Sequence, residues 1–113
     1  MSTLNWSAYA AGSLERTFVV GHFTPDGPIT VTRIQVQIQA DTVNCRQHPI
    51  LALSDGTRTG TMTLQLKSAA VDSGALSMDV AAGSTLLLMV NGKEGECRTR
   101  PADANIVVQY RTR

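Results

Sequence analysis

The most constraining stretch of this chain runs from Phe23 to Asp41, FTPDGPITVTRIQVQIQAD. Apolar and polar side chains alternate along it, the pattern of an extended strand whose successive residues point to opposite faces. Part-way the alternation changes phase. Ile29 and Val31 fall on odd numbers, Ile34, Val36 and Ile38 on even ones, so a regular strand cannot turn all five to one side. An extra residue near Thr32-Arg33, a β-bulge or a bend, re-aims the pattern and keeps the apolar side chains inward on both halves. Such a strand needs a second layer to cover its apolar face.

Other segments read as shorter strands bounded by turn residues. TLNWSAY and RTFVVGHF are joined by the small, Gly-containing AAGSLE. PILALS ends at Ser54-Asp55-Gly56-Thr57, where the Asp-Gly step supplies a positive φ at little cost. GTMTLQL places Met62, Leu64 and Leu66 on one face, ALSMDV does the same with Leu76, Met78 and Val80, and ANIVVQYR with Ile106, Val108 and Tyr110. The run Leu86 to Val90 is apolar on both faces before Asn91-Gly92 closes it. That pattern predicts either a central strand covered on both sides or one whose outward side meets another subunit, with Leu86, Leu88 and Val90 as interface candidates.

About eight strands in 113 residues predict one all-β domain spanning the whole chain, an antiparallel β-sandwich of jelly-roll-like arrangement. An immunoglobulin-like sandwich is the alternative, but its core tryptophan normally lies between two cysteines, and here the single tryptophan, Trp6, precedes both.

Hydrophobic residues make up 42% and charged residues 17%, which excludes a disordered chain and leaves a surface rich in Ser, Thr, Gln and Asn. A formal net charge of +1 predicts no strong attraction to nucleic acid or anionic membranes. Arg98, Arg100, Arg111 and Arg113 lack the interleaved aromatics of a nucleic-acid surface. The longest apolar run is five residues, so no membrane insertion is expected. MSTLNWSAYAAGS has neither a basic start nor a continuous apolar stretch of the kind a signal peptide carries.

Cys45 and Cys97 lie in polar connections, TVNCRQHP and GKEGECRTRP. Three readings are open. A disulfide would close a loop of about 50 residues, stabilise the fold by about 4 kcal/mol and point to an oxidising, extracellular setting. A metal site could use Cys45 and His48 with Cys97 or His22, but too few ligands are available and no second C-x2-C pair exists. Two free thiols are the third. The disulfide is favoured, and no metal or other cofactor is expected.

No catalytic pattern assembles. His22 and His48 stand alone, and there is no G-x-S-x-G elbow, H-E-x-x-H or phosphate-binding glycine loop. Asp26, Asp41, Asp55, Asp72, Asp79 and Asp103 are scattered through turns, where Asp caps backbone donors, and no D-x-D-x-D run suggests calcium. The expectation is a protein that is not an enzyme. Its outward faces are then the candidates for function. On the long strand these are Thr30, Thr32, Arg33, Gln35, Gln37 and Gln39, a row suited to solvent, to a subunit contact or to glycan hydroxyls, with Trp6 and Tyr9 as a candidate aromatic platform. Asn5-Trp6-Ser7 also matches a glycosylation sequon.

Two segments, FTPDGPITVTRIQVQIQ with the cysteine loop and SDGT after it, and GECRTRPADANIVVQYR, resemble a small all-β domain of bacterial surface or secreted proteins. That domain often forms the carboxy-terminal globular part of repetitive or collagen-like chains, and the resemblance spans roughly Phe23 to Arg111. It implies a non-enzymatic role in assembly or adhesion at an extracellular or cell surface, pairing of Cys45 with Cys97, and a homo-oligomer, a trimer by analogy. This chain has no G-X-Y repeats of its own. A carbohydrate-binding module and a phage tail-fibre or decoration domain are the alternative functions.

Overall fold

A computed structural model describes residues 3–39, 44–57 and 60–113. It contains nine strands: β1 Thr3–Ser13, β2 Phe18–Phe23, β3 Ile29–Ile38, β4 Ile50–Ser54, β5 Thr61–Gln65, β6 Ala70–Asp72, β7 Met78–Val80, β8 Leu86–Asn91 and β9 Ala102–Thr112. They form two antiparallel sheets. One has the order β1-β9-β3-β6, with β7 also on β3, and the other the order β2-β8-β4-β5. We call them the long and the short sheet.

The pairings are nested. β4 pairs with β5, β3 with β6 and β7, β2 with β8, and β1 with β9. Rolling this ladder up so that β9 also meets β3, and β8 also meets β4, produces the two sheets. This is the strand order of a jelly roll. The one difference in count is that β6 and β7, three residues each, lie end to end along the same side of β3, β7 against Ile29 to Val31 and β6 against Gln35 to Gln37.

The phase change in the long strand is a bulge. β3 pairs with β9 as Val31↔Tyr110 and then Arg33↔Gln109, so Thr32 is the extra residue. Ile29, Val31, Ile34, Val36 and Ile38 are consequently all buried. They meet Leu51, Leu53, Leu86, Leu88 and Val90 of the short sheet and Ala104, Ile106 and Val108 of β9 in one core cluster. Each fully buried aliphatic side chain of this kind contributes about 1.5–3 kcal/mol of transfer free energy.

Leu86, Leu88 and Val90 therefore do not form an interface. β8 lies between β2 and β4, and these three side chains are fully buried between the sheets. The outward residues of β8, Leu87 and Met89, are half-buried. Asn91-Gly92 ends the strand where it passes under the β1–β2 connection: Gly92 N–H donates to the Arg16 carbonyl at 3.0 Å. A Cβ at Gly92 would collide with the Leu14 carbonyl and press on Arg16 N at 2.8 Å, so only glycine permits this approach.

β1 extends well beyond TLNWSAY. It continues through Ala-Ala-Gly-Ser to Ser13, with a register shift against β9 between Ala10 and Ser13. Gly12 has φ +82° there and donates its N–H to Asp103 Oδ1 at 2.8 Å. Glycine and the Asp103 carboxylate let β1 bend while its Gly12 N–H keeps a partner.

Candidate functional site

Cys45 and Cys97 are joined by a disulfide. They face each other as an isolated antiparallel bridge between the β3–β4 and β8–β9 connections. Arg46 N–H donates to the Glu96 carbonyl and Arg98 N–H to the Asn44 carbonyl, each at 2.8 Å. The flanking bonds make Cys45 and Cys97 a non-hydrogen-bonded pair, the position at which side chains on neighbouring strands come closest. Both connections cross between the sheets, so the bridge ties the two crossovers together. A thiol held in that bond is not a metal ligand. Among the described residues, no three His, Cys, Asp or Glu side chains gather as a metal site.

Beside the bridge an open cleft is lined by Glu15, Arg16, Glu94, Cys97, Arg98 and Arg100. Glu15 Oε2 accepts the Gly95 N–H at 3.0 Å and holds the two loops together. The cleft offers carboxylates and guanidinium groups but no nucleophile set against a base. His22 is exposed on β2 and His48 is half-buried ahead of Pro49, so neither enters it.

The outward side of the long sheet gathers most of the polar candidates. Register fixes its rows: Tyr9, Asn105 and Gln37 lie across β1, β9 and β3, and Ser7, Val107, Gln35 and Asp72 continue across to β6. Asn5, Gln109 and Arg33 make a third row. Two of the candidates are already committed. Arg33 donates from Nε to Asp72 Oδ1 at 2.9 Å and its NH2 lies 2.8 Å from Oδ2, a two-pronged ion pair. Gln35 Nε2 and Gly74 N–H also donate to the same carboxylate, at 3.3 and 2.8 Å. These donors, the Arg33 hydrogen bond foremost, bring the Asp72 pKa down to about 2. Gln37 and Gln39 are exposed and make no side-chain hydrogen bond to a described residue. Thr30 points to the outward side of β3 but is covered there, 2% exposed, and donates its hydroxyl to Asp79 Oδ1 at 2.7 Å.

Trp6 and Tyr9 do not form one platform, because residues of opposite parity on one strand point to opposite faces. Tyr9 stands on the outward side of the long sheet, 53% exposed. Trp6 turns inward, stacks on Phe23 at 5.3 Å, and Phe23 meets Tyr110 at 5.2 Å.

Sequence reasoning did not single out the flank where β1 and β2, one edge strand of each sheet, lie side by side. The exposed large hydrophobic residues among the described ones are Leu4, Tyr9 and Val19, at 41%, 53% and 46%, and all three are on these two strands. Arg16 sits at the far end of the flank. Its guanidinium donates to the Ala11 and Ser13 carbonyls at 3.0 and 3.1 Å and lies 3.8 Å over the Phe18 ring. The available signal was TLNWSAYAAGS itself, eleven residues with no charge and no proline.

Solved structures share this fold. One is the crystal structure of FlhE, at 13% identity over 98% of this chain and 99% of that one, with a TM-score of 0.50. Another is a chain in the acid-stable capsid structure of Helicobacter pylori bacteriophage KHP30, at 12% identity over 96% of this chain and 90% of that one, also at 0.50. No family model matches the chain, and no curated protein matches it. At these identities the likeness is one of fold, a small all-β sandwich.

Proposed function

We propose that this domain is a non-enzymatic structural module that acts by associating with further copies of itself in an oxidising, extracellular setting. One observation carries the reading: the exposed large apolar side chains among the described residues, Leu4, Tyr9 and Val19, all fall on the edge strands β1 and β2, with Leu4 on the inward side of β1 and Tyr9 on its outward side, so that they border one open edge of the sandwich. The Cys45–Cys97 bridge supports the setting, since disulfides persist where the surroundings are not reducing. A shared fold with a phage capsid chain is compatible with a part in a protein shell. Light scattering on the intact domain from about 10 µM to about 1 mM tests it, the range in which an interface of modest area associates. Association that Val19→Lys weakens is expected; monomer throughout that range refutes the reading.

A second reading has its own observation. Tyr9, Asn105 and Gln37 form one outward row, an exposed aromatic ring beside exposed amides, which suits glycan hydroxyls. Binding on a glycan array that Tyr9→Ala and Gln37→Ala both abolish would support it. An array without hits would count against it.

A further inference from the structure

We infer that β1 is the strand through which two copies join, pairing antiparallel with β1 of a second copy about a twofold axis centred on Trp6. This rests on the association reading above and names its geometry. The first argument is which backbone groups are free. At one end of β9, Gln39 N–H donates to the Asp103 carbonyl at 3.2 Å, and at the other Arg113 N–H donates to the Pro28 carbonyl at 3.0 Å. Both bonds engage odd-numbered residues on the β3 side of β9. In an antiparallel strand the N–H and C=O of one residue point to the same neighbour and alternate along the chain. Even-numbered residues of β9 therefore bond β1. Through the register Leu4↔Tyr110, Trp6↔Val108 and Ala8↔Ile106, the even residues of β1 are taken. Thr3, Asn5, Ser7 and Tyr9 turn their N–H and C=O outward, and among the described residues no strand pairs with them.

Edge strands are normally blunted, and the other edges of this domain are. β6 and β7 are three residues long and carry Asp72 and Asp79, each in an ion pair. β2 is broken by a register shift between Val19 and Gly21, and β5 has only five residues. β1 alone is long and uncharged. Its far end is closed by Arg16 on the Ala11 and Ser13 carbonyls, which leaves Thr3 to Tyr9 open.

That open segment is symmetric in what it offers. A twofold centred on Trp6 sets Thr3 opposite Tyr9 of the second copy and Asn5 opposite its Ser7, using every outward-facing backbone group between them. It brings the two Trp6 residues together as a non-bonded pair and lays Leu4 against Ala8 of the second copy. An isologous contact of this kind closes as a dimer. The edge is about 24 Å long at about 3.4 Å per residue. Set on a molecule whose shorter extents are 24 and 21 Å, it offers about 500 Å² per copy, about 1,000 Å² in all, the lower bound for a specific, weak interface.

Sedimentation of the whole domain between about 10 µM and about 1 mM, with the emission of the single tryptophan followed on dilution, tests this. A dimer is expected, with Trp6 emission shifting as it dissociates. Ser7→Pro removes a donor that nothing within the chain uses and should weaken the dimer at least about tenfold while the far-ultraviolet spectrum stays the same. Asn5→Lys with Ser7→Lys places like charges opposite each other twice and should do the same if the proline variant fails to fold. Asn5→Glu with Ser7→Lys places opposite charges there and should restore the dimer. Loss without restoration overturns the register. A dimer that neither blocking variant weakens overturns strand pairing but leaves association standing, and a trimer overturns the twofold. Monomer at every concentration overturns both.

Discussion

Removing the Cys45–Cys97 bridge by a Cys45→Ala, Cys97→Ala double substitution should be the most costly change available outside the core. The two residues are separated by 52 positions. A loop of that size forfeits about 14 cal/mol/K of denatured-chain entropy when closed, about 4 kcal/mol at room temperature. Unfolding entropy of about 2.1 cal/mol/K per residue turns this into a fall in Tm of about 17 °C for a chain of 113 residues. The bridge lies between connections rather than in a sheet, so its loss leaves no hole in the core and the entropy should dominate. Calorimetry of the wild-type and double-variant proteins, with intact mass before and after reduction to confirm the bond, reads the difference. Hydrogen exchange adds a local check, because the Arg46 and Arg98 amides that flank the bridge should lose protection first. A fall of less than about 4 °C would refute the reasoning, since it would mean the unlinked chain already holds these crossovers together.

Three further outcomes are expected. Leu88→Ala opens a cavity at a fully buried position and should cost about 3–5 kcal/mol in urea unfolding, whereas Leu87→Ala, one residue along on the outward side, should cost less than about 1.5. Gly92→Ala should lower Tm by more than helix or strand propensity explains, because its Cβ meets the backbone of Leu14 and Arg16; a neutral result would show that the β1–β2 connection yields easily. Acid should weaken the domain through Asp72, whose folded pKa of about 2 lies below the ordinary 3.8. The unfolded chain binds the extra proton, so this stabilisation is complete above about pH 4 and is lost as pH falls towards about 2. Arg33→Ala should flatten that part of a urea-midpoint against pH curve, while the contribution of Asp55, lowered by its Thr57 hydrogen bonds, remains.

What the sequence disclosed follows from side-chain alternation. A period of two decides which residues go inward wherever a strand is four or more residues long, so the inward sets of β3, β5 and β9 were legible, and the phase change located the bulge at Thr32. β6 was not legible, because Ala70–Asp72 contains one buried apolar residue, Val71, and no alternation can be read from one. Leu86 to Val90 was ambiguous between a central strand and a contact surface. The burial of Leu86, Leu88 and Val90 settles their direction, and neighbours on both sides of β8 explain it. The same parity that was read correctly elsewhere was overlooked at Trp6 and Tyr9, which three positions put on opposite faces. Arg33 looked like a ligand-facing residue, since its partner Asp72 is 39 residues away and only the β3–β6 pairing brings them together. Edges are also invisible to periodicity: alternation says which face of a strand is buried, not whether a neighbour lies beside it.

The nested ladder has a consequence for how the chain comes off a ribosome. Its innermost rung, β4 with β5, can close as soon as β5 has been made, at Gln65, but each outer rung needs residues made later, and the partners of β1 begin only at Ala102. At about 5–20 residues per second, β1 waits on the order of 5–20 s with both of its backbone edges unpaired. The strand made first is therefore paired last, and the uncharged β1 is the part that needs shielding during the wait.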